Sequence, residues 1–167
     1  MAKKAYFAGG CFWCIEPVFE ALPGVFGAVS GYSGGREENP CYEDVKAQRT
    51  GHRETVCVEY DDAVVSFEEL LEAYLGSVDP FDGGGQFIDR GKSYTLAVYH
   101  TCEEERVAAQ RRLEALEKEA GKRPCVSVEP FRSFYRAEEY HQDYYLKNPE
   151  AFQRELEESG RIRRPGR

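Results

Sequence analysis

Continuous and alternating runs of apolar residues divide this chain into segments of two kinds. The clearest alternation spans residues 54–60, where valine and tyrosine are separated by more polar residues, and a two-residue period is that of a strand with one buried face. Other short runs have the same strand character, at residues 5–8, 25–32, 94–100 and 125–129. These five segments are predicted to be β-strands.

Apolar residues that recur every three to four positions predict helices between the strands. The first such segment begins at Phe12 and ends before Pro23, which is followed by glycine. Further helices are predicted at residues 67–77, 103–120, 138–146 and 150–158.

Two of these helices are predicted to begin with a capping box, in which a hydroxyl residue is followed three positions later by an acidic one. Ser66 precedes Glu69 in this way, and Thr101 precedes Glu104. Gly121 is expected to end the second of these helices, because glycine readily adopts the left-handed conformation found after many helices.

Two long irregular segments interrupt the elements. Residues 36–50 are polar, with one helical turn expected near residues 42–47, and residues 78–93 are rich in glycine. Loops of this length inside a compact domain commonly carry function. The predicted order of strand, helix, strand, strand, helix and strand is that of the split βαβ arrangement of ferredoxin-like folds.

Length and composition indicate one soluble globular domain over residues 1–167. Apolar residues make up 41% of the 167 residues and charged residues 31%, and no apolar run approaches the roughly 18 residues that a membrane helix needs. The basic residues within 160–167 are expected to form a flexible tail rather than a binding patch.

The net charge of −8 disfavours nucleic acid and anionic membranes as partners. No signal peptide is recognisable after Lys3 and Lys4, because the glycines at residues 9–10 interrupt the apolar run, so we expect a cytoplasmic protein, and a monomer. Without export, the six cysteines favour catalysis, metal binding or burial over a disulfide framework.

Residues 9–14, with the sequence Gly-Gly-Cys-Phe-Trp-Cys, form the segment with the clearest chemistry. A strand, a glycine turn and a helix place Cys11 at a helix N-terminus. There the helix dipole and unpaired N–H groups are expected to lower the pKa of the thiol and to supply a nucleophilic thiolate. The alternative is a cysteine buried in an aromatic core, which the position on a turn makes less favourable.

The same segment resembles the active-site signature of the A-type peptide methionine sulfoxide reductases, which reduce the S epimer of methionine sulfoxide. Further segments match that family in the same order, at residues 22–25, 31–35, 39–45, 50–54, 89–94 and 137–144. The resemblance implies an α/β (α+β) fold, a ferredoxin-like split βαβ sandwich with long active-site loops, and a single catalytic domain without a cofactor or metal.

The resemblance also implies a role for several residues. Cys11 attacks the sulfoxide sulfur, while Glu54 protonates the oxygen. Two hydroxyls that bind this oxygen correspond to Tyr42 and Tyr94. From position alone, Glu54 would be taken for an exposed carboxylate at a strand edge, and nothing in the sequence selects two of the 11 tyrosines.

Substrate contacts are implied for three further residues. Phe12 and Trp13 match the residues that hold the S-methyl group, and sulfur–aromatic attraction would strengthen that contact. Asp89 matches a residue of the family's loop pattern that holds the substrate backbone, although an Asx turn that orders the loop explains it equally well. The substrate is then oxidised methionine, free or in peptides and proteins.

Reduction of the sulfoxide leaves Cys11 as a sulfenic acid, which a second thiol converts to a disulfide. Residues 147–167 contain no cysteine, unlike the tail of many family members. Cys14 is the first choice for the resolving thiol, since it lies one helical turn from Cys11, and Cys41 is the second. A dithiol donor such as thioredoxin would then reduce the disulfide.

Two other classes of protein remain open. Cys11, Cys14, Cys41 and His52 could together bind a zinc ion, although their spacing is not that of a compact zinc site. A strand followed by Cys-x-x-Cys is also the local signature of thioredoxin-like disulfide oxidoreductases. Zinc content would identify the first class, and reduction of generic disulfides without turnover of methionine sulfoxide would identify the second.

Overall fold

A computed structural model describes residues 2–159 of the chain, so the expected tail at residues 160–167 lies outside the described residues. The strands are β1 (Ala2–Gly9), β2 (Val25–Ser33), β3 (Arg53–Asp61), β4 (Gly85–Gln86), β5 (Asp89–Arg90), β6 (Leu96–His100), β7 (Val126–Pro130) and β8 (Phe134–Arg136). The α-helices are α1 (Phe12–Glu20), α2 (Tyr42–Lys46), α3 (Phe67–Ser77), α4 (Glu103–Ala120), α5 (Tyr144–Lys147) and α6 (Pro149–Ser159).

Six strands form one sheet in the order β7-β6-β1-β3-β2-β8. The inner four, β6-β1-β3-β2, are antiparallel neighbours, as the predicted split βαβ pattern requires. β7 follows α4 and adds to one edge, parallel to β6, while β8 pairs antiparallel with β2 at the other edge. The predicted fold class is confirmed, with an additional strand at each edge.

The alternation in the strands separates the two faces of the sheet. Phe7 of β1 and Val58 of β3 are fully buried on one face, in the core cluster that α1 and α3 complete. Tyr6 and Cys57 point to the other face, where Phe131 packs against them. The core lies chiefly between the sheet and the helices, and a smaller cluster covers the other face.

The structure corrects three local predictions. Residues 138–146 do not form one helix, because the chain breaks at Asp143, which has a φ of 53° in the left-handed region, between a short 3-10 turn and α5. Thr101 pairs with Glu105 rather than Glu104. Tyr94 ends a 3-10 turn that precedes β6, instead of opening the strand.

Two other predictions of helix ends are confirmed, for the start of α3 and the end of α4. Ser66 Oγ accepts the Glu69 N–H at 3.1 Å, and α3 begins there. Gly121 follows α4 with a φ of 73°. Throughout residues 2–159, every helix is too short or too polar to cross a membrane.

Candidate active site

The N-terminus of α1 lies at the carboxyl end of the central strand β1. Gly10, with a φ of 86°, turns the chain out of the strand in a conformation that favours glycine. A Cβ at Gly9 would lie 3.0 Å from Ile15, so glycine lets α1 pack closely on the strand. Cys11 is the N-cap residue of α1, and its carbonyl accepts the Cys14 N–H at 3.1 Å.

The thiol of Cys11 is protonated at neutral pH, contrary to the prediction from its helix position. A hydrogen bond with Cys14 and burial raise its pKa well above the usual 9.0, and the negative charges of Glu54 and Asp89 add to this. The Phe12 N–H at the start of the helix is donated to Glu54 rather than to the sulfur. A helix N-terminus alone therefore does not produce a thiolate here.

Glu54 lies near the start of β3 with 1% of its surface exposed. Its Oε1 accepts the Phe12 N–H at 3.1 Å, which places the carboxyl beside the first turn of α1. Burial raises the pKa of Glu54 from 4.5 to about 8, and the charge of Asp89 contributes, while the Phe12 hydrogen bond opposes the shift. The carboxyl thus retains its proton at neutral pH, where an exposed glutamate would have lost it.

Tyr42 and Tyr94 come from the two long irregular segments and meet at this point. Their hydroxyls share a hydrogen bond, and burial together with the Glu54 charge raises the pKa of both. Tyr94 is buried and Tyr42 is half-buried, with its ring stacked 6.5 Å from that of Phe12. Two protonated hydroxyls therefore lie close to Cys11 and Glu54.

Aromatic rings form the wall beside Cys11. Trp13 donates its indole N–H to His141 Nδ1 at 3.0 Å and stacks on Tyr144 with ring centroids 4.0 Å apart. Phe12 packs 5.1 Å from the His141 ring. Burial lowers the pKa of His141 to about 4, so this histidine is neutral. Because Nδ1 accepts the Trp13 N–H, the proton of the ring is on Nε2. The wall is consequently apolar and uncharged, as contact with a methyl group requires.

Asp89 begins β5, in the small β4–β5 hairpin, and is half-buried. Its negative charge raises the pKa of Cys11, of Glu54 and of Tyr94, which places the carboxylate near all three groups. The hairpin thus brings an acceptor for a substrate N–H to the rim of the site.

The two candidate resolving cysteines differ in exposure. Cys14 is 4% exposed and hydrogen-bonds with Cys11 from the first turn of α1. Cys41 is exposed at the N-terminus of α2, where its thiol lies 3.3 Å from an Asp44 carboxylate oxygen. Of the other cysteines, Cys57 is buried in β3, whereas Cys125 is exposed.

The proposed zinc ligands are not gathered into one group. Within the described residues, the cluster whose ligand atoms lie within 4.8 Å of one another consists of Glu16, Glu20 and Asp143, away from the cysteines. His52 is fully buried with its Nδ1 3.0 Å from the Thr50 hydroxyl. The geometry therefore gives no support to a Cys and His zinc site.

Glu138 is a residue of the site that the sequence did not single out. Its carboxylate accepts the Tyr32 hydroxyl at 2.9 Å and the Tyr42 N–H at 3.1 Å, so it holds the start of α2 against the sheet. Glu138 lies in the matching segment at residues 137–144, which is the signal that could have identified it.

Comparison with known proteins adds independent information. The profile of the family described as peptide methionine sulfoxide reductase matches residues 3–164. A relative from Halalkalibacterium halodurans, named peptide methionine sulfoxide reductase MsrA, is 48% identical over 161 residues, which cover 95% of this chain and 92% of the relative.

Two solved structures resemble this one over most of its length. Mxr1 from Saccharomyces cerevisiae in its reduced form superposes with a TM-score of 0.83 at 27% identity, over 89% of this chain and 87% of that one. Methionine sulfoxide reductase A of Corynebacterium diphtheriae gives a TM-score of 0.80 at 31% identity, over 89% and 76% of the two chains.

Proposed function

Since the chain belongs to the peptide methionine sulfoxide reductase family, we propose that it reduces the S epimer of methionine sulfoxide with Cys11 as nucleophile and Glu54 as acid. Members of this family are oxidoreductases that return methionine sulfoxide to methionine. The observation that carries the assignment of roles is the Glu54 carboxyl, which is buried beside the N-cap cysteine with a pKa of about 8.

The first half of the reaction needs a nucleophile and a proton for the departing oxygen. The Cys11 sulfur forms a bond to the sulfur atom of the sulfoxide, and Glu54 donates its proton to the sulfoxide oxygen. The sulfur–sulfur bond of this adduct and its sulfur–oxygen bond then break as the oxygen passes, as hydroxyl, to Cys11, which releases methionine and leaves a sulfenic acid. The proton lost by the Cys11 thiol returns to the Glu54 carboxylate, so the site ends with its original charge.

The surrounding residues would orient the sulfoxide for this step. The Tyr42 and Tyr94 hydroxyls donate hydrogen bonds to the oxygen, which gains basicity as its bond to sulfur breaks. The Phe12 and Trp13 rings hold the S-methyl group, and Asp89 accepts an N–H of the substrate backbone. The raised pKa values of the two tyrosines keep their hydroxyls protonated, which supports the role as donors. The rings of Phe12 and Trp13 are apolar, and the negative charge of Asp89 suits an acceptor.

We assign the resolving role to Cys14 and keep Cys41 as the alternative. Attack of Cys14 on the Cys11 sulfenic acid forms a disulfide and expels water. Support comes from the existing hydrogen bond between the two thiols, whereas Cys41 is exposed and bonded to Asp44.

A protein dithiol of the thioredoxin class would complete the cycle by thiol–disulfide exchange. We further propose that residues 1–167 act as one monomeric catalytic domain in the cytoplasm, on oxidised methionine free or in proteins. Recycling by such a dithiol requires a reducing compartment, in which cysteines are kept as thiols.

A single turnover tests the assignment. Pre-reduced protein is mixed with a peptide that contains the S epimer of methionine sulfoxide, without added reductant, and methionine and protein mass are measured. We expect about one methionine per chain and a loss of two hydrogens, and peptide mapping then identifies the disulfide. The R epimer serves as the matched control and should give no methionine.

The outcomes separate the alternatives. If the S epimer yields no methionine while the protein reduces a generic disulfide, the chain is a disulfide oxidoreductase instead. If methionine forms without loss of two hydrogens, Cys11 remains a sulfenic acid and the assignment of Cys14 as resolving thiol is wrong.

A further inference from the structure

β3 carries Glu54, and β6 follows the 3-10 turn that carries Tyr94; β1 separates these two strands along most of their length. β1 pairs with β3 as far as Phe7 opposite Val56, and with β6 as far as Gly9 opposite Leu96. One position beyond, at Gly10, the chain turns away towards α1. The sheet therefore has a gap where the catalytic groups lie.

By extension of the two registers, Arg53 and Thr95 lie level with Gly10, on opposite sides of this gap. The Arg53 side chain crosses it, and its Nε donates to Thr95 Oγ at 2.8 Å. β1 ends one residue before this level, so the hydrogen bond from Arg53 to Thr95 links the two segments that flank it.

Two further hydrogen bonds hold the guanidinium of Arg53. Arg53 Nη1 donates to the Tyr99 hydroxyl at 2.9 Å and to a Glu129 carboxylate oxygen at 2.7 Å. Glu129 also accepts the Ser127 hydroxyl at 2.7 Å. Arg53 is only 6% exposed, and its charge is paired with the carboxylate of the half-buried Glu129.

The Thr95 hydroxyl in turn holds the 3-10 turn that carries Tyr94. It donates to the Lys92 carbonyl at 2.6 Å, and the Thr95 N–H donates to the same oxygen at 3.1 Å. A threonine hydroxyl has one proton to donate and can also accept, and both functions are used here.

We propose that Arg53 and Thr95 are positioning residues that set the distance between the carboxyl of Glu54 and the hydroxyl of Tyr94 across the gap beside β1. Arg53 is adjacent in sequence to Glu54, and Thr95 is adjacent to Tyr94. The side chains of Arg53 and Thr95 lie on the face of the sheet opposite to the substrate. The proposal rests on the reductase activity and on the roles of Glu54 and Tyr94 proposed above.

The hydrogen bond between Arg53 and Thr95 matters to the reaction rate because the Glu54 carboxyl and the Tyr94 hydroxyl must both reach the sulfoxide oxygen. A misplacement of about 1 Å can cost on the order of a hundredfold in rate. Arginine suits this role, since its planar fork bonds several partners at once and it stays charged throughout the working pH range, whereas lysine offers a single flexible ammonium.

The test compares three variants in the single-turnover assay at saturating S-sulfoxide peptide. Thr95→Val removes the hydroxyl and retains the shape, Thr95→Ser retains the hydroxyl, and Thr101→Val makes the same change at the other end of β6. The rate constant reports the geometry of the site, and the amplitude reports the fraction of protein that is folded.

For Thr95→Val we expect a rate constant lower by roughly ten- to a hundredfold, with full amplitude and a half-saturating substrate concentration changed by less than about threefold. Thr95→Ser should restore the rate to within about threefold, and Thr101→Val should match the wild type. A loss of amplitude at an unchanged rate constant would show a role in folding alone and overturn the proposal.

Equal rates for Thr95→Val and Thr95→Ser would also overturn it, since the hydroxyl would then be irrelevant. If Thr95→Val does not fold, Arg53→Lys provides the second test, with the same fall in rate constant expected at measurable amplitude and a wild-type rate contradicting the proposal. Absence of methionine from the wild type would instead reject the proposed function itself.

Discussion

Two buried carboxyl groups lie at α1, and they have similarly raised pKa values but different neighbours. Glu54 faces the first turn of the helix, and Glu16 projects from its middle. Each is 1% exposed, and burial raises the pKa of each from 4.5 to about 8. By titration alone, both are candidates for a catalytic acid.

Their neighbours distinguish them. Both oxygens of Glu16 have structural partners, since the Ser30 hydroxyl lies 2.7 Å from one and the Asp143 N–H lies 3.1 Å from the other. Glu54 instead lies near the thiol of Cys11, whose pKa its charge helps to raise. A raised pKa therefore indicates a buried carboxyl, and only a nucleophile within reach makes it a candidate acid.

The largest effect should follow from removal of that nucleophile. Cys11→Ser leaves Glu54 with nothing to assist, because a hydroxyl is a much weaker nucleophile towards sulfur than a thiol. We expect methionine formation to fall by at least about 1,000-fold. The measurement is the single-turnover yield from the S epimer, and activity close to that of the wild type would remove Cys11 from the mechanism.

The two carboxyls themselves should respond unequally to the same substitution. Glu54→Gln removes the proton donor and should slow the first turnover by roughly 100- to 1,000-fold, within the usual range for a general acid. Glu16→Gln, the matched control, should stay within about twofold, because its partners are structural. Similar losses in both variants would show that Glu54 acts through stability rather than chemistry.

The pH dependence sharpens this contrast. Protonated Glu54 can donate and its carboxylate cannot, so the rate advantage of the wild type over Glu54→Gln should fall about tenfold per pH unit above pH 8. Cys11 titrates in both proteins, and loss of the Glu54 charge lowers the pKa of Cys11 in the variant, so the variant gains thiolate at a lower pH and the ratio falls more steeply. Single-turnover rates from pH 6 to 10 test this, and a constant ratio would mean that Glu54 does not donate a proton.

A smaller effect concerns the thiols at the same end of α1. Cys14→Ser should keep the rate of the first turnover within about twofold and lower steady-state turnover with a dithiol donor by at least about tenfold, because the sulfenic acid is no longer resolved internally. Cys41→Ser is the matched control, and the opposite result would transfer the resolving role to Cys41.

The fold was predictable wherever periodicity was strong. The alternation at residues 54–60 identified β3, and the cap at Ser66 identified the start of α3. The three-residue strand β8 is too short to show a period and depends on pairing with β2. The single helix predicted over residues 138–146 was wrong, because Asp143 instead turns its N–H towards Glu16, a contact that local propensity cannot show.

The candidate site was predictable in its members but not in its electrostatics. The family resemblance named Cys11 and Glu54, and the structure places both beside Phe12. The expected fall in the pKa of Cys11 was wrong, since burial and the hydrogen bond with Cys14 outweigh the helix terminus. These contacts join residues distant in sequence or depend on packing, so a pattern of residue types does not contain them.

The smallest effect on activity, but a measurable one on stability, is expected from Glu16. A carboxyl whose pKa is raised from 4.5 to about 8 on folding binds its proton more tightly in the folded state. The free energy of unfolding therefore falls as pH rises through this range, by up to about 1.4 kcal/mol per pH unit for each such group.

Glu16→Gln removes this titration and retains an amide that can bond to Ser30 and Asp143. We expect the variant to resemble the wild type near pH 5 and to become the more stable of the two as pH approaches 8, measured by urea unfolding across that range. Parallel pH dependence in the two proteins would show that Glu16 does not keep its proton on folding. The comparison of the two carboxyls would then rest on Glu54 alone, and its raised pKa would itself distinguish the catalytic side of α1.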